Sequence, residues 1–319
     1  MNILPYLLGS EPWLEYAVRF TMLAENRQCL EPLKQKVLQD DKIKAYLTDI
    51  RNFHSAVVST HKNPGLSVHK LLFLLDIGLQ TDVPEIADAI GHIMAHKDVN
   101  GVYQSHINVP KHFGGTGQDS FGWCLCDAPL LLTALLRAGI PYDNRIRPGV
   151  AHLVSLYRSG AFPCVVSPEL GRFRGPGRKE DCCPYATLIM LRLFAHIPEY
   201  ADSEMAKRCA DTLLSLWENS RNAHPYMFYM GTDFRKLKAP LVWYDIVSVA
   251  DVLSLFRFAR EDSRFAGMLS VIESKQDNEG LYTPESVYLK CSAWDFGQKK
   301  TPSPYLTHCC ARILKRMDE

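Results

Sequence analysis

The chain has 319 residues, 47% hydrophobic and 22% charged, a balance that suits a folded protein with a sizeable core and excludes a disordered one. Lys and Arg number 36 against 35 Asp and Glu, so no global field draws the chain to nucleic acid or to an anionic membrane, and any anion preference has to be local. No run approaches the roughly 18 apolar residues of a membrane span.

The opening Met1-Asn2-Ile3-Leu4-Pro5-Tyr6-Leu7-Leu8 is apolar but short, has no basic leader and runs into charged amphipathic sequence, unlike a signal peptide. Ten cysteines, including the adjacent pairs Cys182-Cys183 and Cys309-Cys310, fit reduced thiols better than a secreted disulfide framework. Both features predict a cytoplasmic protein.

Apolar residues recur at helical spacing near 12–25, 30–52, 66–78, 83–95, 129–139, 146–158, 185–197, 203–218, 241–258, 263–274 and 304–316, and strand-like alternation is scarce. A break at Gln39-Asp40-Asp41 divides the second segment, which predicts about twelve helices, or six hairpins. A proline precedes an apolar helix five times, at Pro64, Pro129, Pro184, Pro240 and Pro304, where a missing N–H costs nothing in a first helical turn. Each of these helices is expected to be an inner, buried one, followed by a more amphipathic partner. After the partner comes a turn with a glycine beside an aromatic: Asn100-Gly101-Val102-Tyr103, Ser159-Gly160-Ala161-Phe162 and Asn278-Glu279-Gly280-Leu281-Tyr282. His224-Pro225-Tyr226 stands in the equivalent place without the glycine. Such a period predicts stacked hairpins.

Lys275-Gln276-Asp277-Asn278-Glu279-Gly280-Leu281-Tyr282, with a looser copy at Lys97–Tyr103, resembles the Gln/Asp-x-x-Gly-x-aromatic turns of the terpenoid cyclase and protein prenyltransferase superfamily. The resemblance implies an all-α fold, an α/α toroid (α6/α6 barrel) of six hairpins forming one domain over 1–319, with 1–60 completing the barrel and 61–319 carrying the repeats. It covers about residues 60–319. It speaks to fold more than to chemistry, because the same fold hosts cyclases, zinc-dependent transferases and non-enzymatic proteins.

In a toroid the residues ahead of the anchor prolines meet at one mouth. Basic pairs stand there: Arg178-Lys179, Arg235-Lys236 and Lys299-Lys300, joined by Arg172, Arg174 and Lys238. Cations facing the positive end of a helix dipole ask for an anion, such as the head group of a prenyl diphosphate. The alternative is a set of solubilising loop lysines paired with nearby acids. Slightly deeper lie Cys124, Cys126 and Asp127, then Asp181, Cys182 and Cys183, then Trp243, Tyr244 and Asp245, and Thr307, His308, Cys309 and Cys310, with His69 in a comparable place. Asp127 and Asp181 also stand in N-cap territory.

Three uses of that ring stay open. Asp127, Asp181 or Asp245 suits a general acid toward an alkene or epoxide, with Cys182 as its modulator and Trp243 or Tyr244 stabilising a cation; Asp181-Cys182 with Ala186-Thr187 resembles the proton-donor stretch of oxidosqualene cyclases. Asp181-x-Cys183-x-Tyr185 and Tyr305-Leu306-Thr307-His308-Cys309 resemble zinc-ligand segments of protein prenyltransferase β subunits. That resemblance implies a zinc site with Cys183 and His308, an activated thiolate and a separate helical partner subunit, and convergence across the barrel would add Cys126 or Asp245 to the ligands. The third use is packing, buried free cysteine being a common small filler. The sequence therefore predicts an isoprenoid-handling enzyme of cyclase type, with a zinc-dependent prenyltransferase-like enzyme or a non-catalytic binding or scaffold protein as alternatives.

Overall fold

A computed structural model describes residues 3–55, 57–173, 181–220, 222 and 230–318. Among them are fifteen α-helices: α1 (Leu4–Leu8), α2 (Pro12–Thr21), α3 (Arg27–Gln39), α4 (Asp41–Arg51), α5 (Ser67–Asp76), α6 (Pro84–Ala95), α7 (Ala128–Arg137), α8 (Arg147–Val154), α9 (Pro184–Phe194), α10 (Pro198–Ala201), α11 (Glu204–Glu218), α12 (Ile246–Leu253), α13 (Arg257–Arg260), α14 (Ser263–Glu273) and α15 (Pro304–Lys315). The fold is mostly α. The one sheet among the described residues is a two-stranded antiparallel ribbon, β1 (Ser105–Ile107) and β2 (Ser120–Gly122), in which Ser105 faces Gly122 and Ile107 faces Ser120. Three-residue strands are too short to show alternation, and the periodicity did not reveal them.

The expected break within 30–52 falls at Asp40, whose Oδ1 accepts the N–H groups of Lys42 and Ile43 and starts α4. Prolines open α9 and α15, and Pro129 is the second residue of α7. Pro64 and Pro240 stand three and six residues ahead of α5 and α12. The expected helix over 241–258 is therefore shorter, because the chain stays irregular through Trp243 and Tyr244 until Asp245 caps α12.

Helices following the anchors are buried almost all round, as their unbroken apolar runs require: all eight residues of α12 are buried, against six of fifteen in amphipathic α11. α5 packs on α7, α7 on α9, α9 on α12 and α12 on α15, while α11 covers α9, α14 covers α12, and α6 lies against α4 and α7. α15 also meets α1 and α2. Trp13 of α2 and Phe73 of α5 stand 5.7 Å apart in an aromatic cluster with Trp294 and Tyr305. Asp251 of α12 accepts from Arg312 of α15 and from Arg316 beyond it. Burial would raise its pKa, but the two guanidiniums hold the carboxyl well below its ordinary range.

The glycine turns repeat in atomic detail. Gly101 and Gly280 both have φ of 80°, the left-handed region that favours glycine. Asp98 Oδ1 accepts the N–H groups of Asn100 and Val102 at 2.9 Å, and Asp277 Oδ1 accepts those of Glu279 and Leu281 at 2.9 Å. The following aromatic then pins the next buried helix. Tyr282 N–H donates to Thr307 Oγ1 at 3.0 Å, and Phe162 N–H to Thr187 Oγ1 at 3.1 Å.

Candidate metal centre

His61, Cys124 and Cys126 offer donor atoms that all lie within 4.8 Å of one another, and no other such group of three is found among the described residues. Cys126 Sγ stands 3.2 Å from His61 Nδ1 and 3.6 Å from Nε2, and Nε2 stands 3.7 Å from Asp127 Oδ2. Cys124 and Asp127 are buried, whereas His61 and Cys126 are partly exposed, so the cluster is open on one side.

Two segments make this meeting. The run Trp123–Asp127 leads into α7 and is tied to an antiparallel neighbour segment: Trp123 N–H donates to Ser167 Oγ, Ser167 N–H to Trp123 O, and Leu125 N–H to Val165 O. The loop bearing His61 is held by Val58, which exchanges backbone hydrogen bonds with His106 and Asn108 beside β1, and by His69 of α5, whose Nε2 lies 2.9 Å from His61 O. Burial takes the His69 pKa down to about 4, so the ring is neutral and donates this bond.

Asp127 occupies the N-cap position of α7, yet its carboxylate does not cap the helix. Oδ1 turns back to accept Cys124 N–H at 2.8 Å, while Oδ2 is buried and accepts no hydrogen bond among the described residues. A buried carboxylate oxygen without a donor is costly, and a cation beside it supplies the missing partner. Burial alone would lower the His61 pKa, but Cys126 and Asp127 carry it well above the ordinary histidine value. A hydrogen bond with Cys124, then burial, push the Cys126 thiol well up.

Of the ligands expected from sequence, Cys126 joins this cluster. Cys183 instead caps α9, its Sγ accepting Ala186 N–H at 3.4 Å, and a hydrogen bond with Cys164 and burial raise its pKa. Asp245 caps α12 through Ser248 N–H at 3.0 Å and Ser248 Oγ at 3.2 Å, its pKa raised to about 7 by burial. His308 is buried in α15 with Nε2 3.4 Å from Thr21 Oγ1 and Nδ1 3.3 Å from Met22 Sδ, and burial drops its pKa to about 3. Both atoms belong to or adjoin α2. Asp181 and Cys182 are half-buried ahead of α9, and burial raises the Cys182 thiol to about 11. Trp243 lies on Tyr185 at 4.2 Å, and Tyr244 on Phe234 at 5.4 Å.

The basic pairs do not share one environment. Arg235 lies over the Trp217 ring at 4.7 Å, Lys236 pairs with Asp233, and Lys299 and Lys300 are exposed. Arg178 and Lys179, with Arg174 and the His224-Pro225-Tyr226 turn, lie outside the described residues. Among the described residues no helix is long and apolar enough to cross a membrane.

Sequence reasoning placed Cys124 in the ring without making it a ligand, and missed His61. A signal was present. His61 stands three residues before Pro64 as Cys126 stands three before Pro129, so one repeat register carries both donors.

No family model matches the chain, and no curated protein matches it. A solved structure of a protein from Actinoplanes is similar over 97% of this chain and 90% of its own, with 10% identity and a TM-score of 0.44, a likeness too loose to inform fold or function.

Proposed function

We propose that the chain binds one zinc ion through His61 Nδ1, Cys124 Sγ and Cys126 Sγ and is a zinc-dependent enzyme that activates a thiol as a nucleophile. The observation that carries this is the convergence of two thiols and an imidazole within 4.8 Å, beside a buried carboxylate oxygen with no donor. Tetrahedral zinc, with bonds of about 2.3 Å to sulfur and about 2.0 Å to nitrogen, fits donors spaced in this way. Asp127 Oδ2, on the Nε2 side of the ring, would take the Nε2–H and hold the imidazole with Nδ1 toward the metal. Three protein ligands are the number found in catalytic zinc sites, and the partial exposure of His61 and Cys126 would leave the group accessible to a substrate. Two thiolate ligands make the centre soft and nearly neutral, which suits a substrate thiol. A zinc held by His61, Cys124 and Cys126 would supply Lewis acidity that favours the thiolate form of a substrate thiol.

For the fold we propose an α/α toroid, in which α2, α5, α7, α9, α12 and α15 form the inner ring. In its favour α15 packs on both N-terminal helices, and Trp13 of α2 touches Phe73 of α5.

A second reading is favoured by the contact between Cys126 and His61: a metal-free thiol–imidazole nucleophile with Asp127 orienting the ring. Cys124 separates the two, being needed for zinc and not for the dyad. Purified chain is expected to carry about one equivalent of zinc, and Cys124→Ser to carry less than a tenth while remaining folded. Full zinc in Cys124→Ser, or none in the wild type, overturns the metal centre. Rapid iodoacetamide modification of Cys126 in zinc-free protein, slowed by His61→Ala, would favour the dyad.

A further inference from the structure

Three segments run side by side ahead of α7 and α9. Cys124 pairs antiparallel with Val166, where Leu125 N–H donates to Val165 O at 2.9 Å and Ser167 N–H to Trp123 O at 2.8 Å. On its other edge the same segment pairs Pro163 antiparallel with Cys182, and Cys183 N–H donates to Phe162 O at 2.7 Å. Alternate residues of an extended segment point to one face, and residues paired across a ladder share that face. Cys124, opposite Val166, and Cys183, opposite Phe162, therefore lie on the face of Cys164. Cys182, opposite Pro163, lies on the other. Cys164 is a diagonal neighbour of both thiols on its face, and it is hydrogen-bonded to Cys183. Cys183 is buried and Cys164 partly exposed, and both are free. Cys183 Sγ is held at the head of α9, where it accepts Ala186 N–H at 3.4 Å.

Packing accounts for a single buried thiol; it does not require two thiols in contact with one of them open to solvent. Sulfur atoms at hydrogen-bond distance reach the roughly 2.05 Å of a disulfide by side-chain rotation and a small loop adjustment. We propose that Cys164 and Cys183 are a redox-active dithiol, a modification site that a hydroperoxide converts to a disulfide joining the 162–166 segment to the head of α9. Cys164, the exposed partner, reacts first. Its thiolate sulfur attacks one oxygen of hydrogen peroxide, the O–O bond breaks, and the departing hydroxide takes up the thiol proton as water. The Cys183 sulfur then attacks the sulfenic sulfur of Cys164. The S–O bond breaks, and the second oxygen leaves as water with the Cys183 proton. The two thiols lose two electrons and the peroxide gains them. A dithiol reductant reverses the change by exchange. The site stands on the backbone ladder and the thiol contact and does not depend on bound zinc.

The test is treatment of the reduced full chain with stoichiometric hydrogen peroxide, followed by alkylation and peptide mass spectrometry. The expected result is a cross-link between the tryptic peptides 159–172 and 180–192, with two fewer alkylated thiols per chain and full recovery after dithiothreitol. The cross-link should persist in Cys182→Ser and vanish in Cys164→Ser and in Cys183→Ser, whose serine hydroxyl can still cap α9. Cys164→Ser should keep wild-type zinc content, and Cys124→Ser should still form the cross-link, so failure of the dithiol is read apart from failure of the metal centre. A cross-link that survives in Cys183→Ser, one that joins peptide 159–172 to the peptide bearing Cys124 and Cys126, or no cross-link at all overturns the proposal.

Discussion

Asp127 stands at the N-terminus of α7 but turns its carboxylate to the loop before it. Its place before Pro129 suggested a helix cap, yet its carboxylate turns back to Cys124 N–H and leaves Oδ2 facing His61. In the proposed centre this carboxylate fixes the imidazole, and losing such a partner typically weakens metal binding 10- to 100-fold. Asp127→Asn should therefore lower zinc affinity by about that factor without changing the number of ions bound at saturation. Competition with a chromophoric chelator measures this, and unchanged affinity would show that the carboxylate is not coupled to the metal. His61 shares the register of Cys126 before an anchor proline, but its approach to the two thiols leaves no trace in the sequence. It sits in a loop whose path is set by Val58 beside β1 and by His69, and neither contact has a local pattern. Asp245, which looked like a residue within a helix, caps one instead, because the irregular stretch before it extends past Pro240.

At the level of elements the repeat was the most legible feature. Glycine at a left-handed position, an aspartate accepting two backbone N–H groups and an aromatic pinning the next helix are local chemistry, so they leave a local trace. Gly101 and Gly280 share that backbone angle but differ in surroundings. A Cβ on Gly280 would meet only Ile3 Cγ2, at 3.4 Å, whereas one on Gly101 would meet Pro148 Cβ at 3.0 Å and Gly149 N at 3.2 Å. Gly280→Ala should cost about 1–2 kcal/mol from the left-handed angle alone, and Gly101→Ala clearly more. Denaturant unfolding of both variants gives the order, and an equal cost would remove the crowding at Pro148 from the explanation. The β1–β2 ribbon is the opposite case: it is held by pairing between residues about fifteen apart, and three residues per strand carry no period to detect.

Across the whole molecule, helix content followed from composition and periodicity, while the way the chain ends meet did not. Tyr6 Oη donates to Pro302 O, Lys315 Nζ to Met22 O, and His308 sits between Thr21 and Met22. No sequence pattern links residues almost 300 positions apart. Three buried histidines, His308 of this junction among them, carry a pH signature. Burial holds His308 at about 3, and His54 and His196 at about 4, below the ordinary 6.5 of an unfolded histidine. Because these pKa values are depressed, the unfolded chain takes up protons below pH 6.5 that the folded chain refuses. Stability is complete above that value and declines as the pH falls toward 4. His308 alone accounts for about 2 kcal/mol between pH 6.5 and 5. Thermal unfolding should show Tm falling over that interval, and His308→Gln should flatten the fall. A Tm independent of pH from 7 to 5 would mean that these rings are solvated rather than buried.

The metal centre itself is tested most directly by X-ray absorption at the zinc edge on protein purified without added metal. The arrangement of His61, Cys124 and Cys126 predicts two sulfur scatterers at about 2.3 Å with nitrogen or oxygen scatterers at about 2.0–2.1 Å, and loss of one sulfur or of the zinc in Cys124→Ser. A shell of nitrogen and oxygen alone, or protein that carries no zinc, would contradict it.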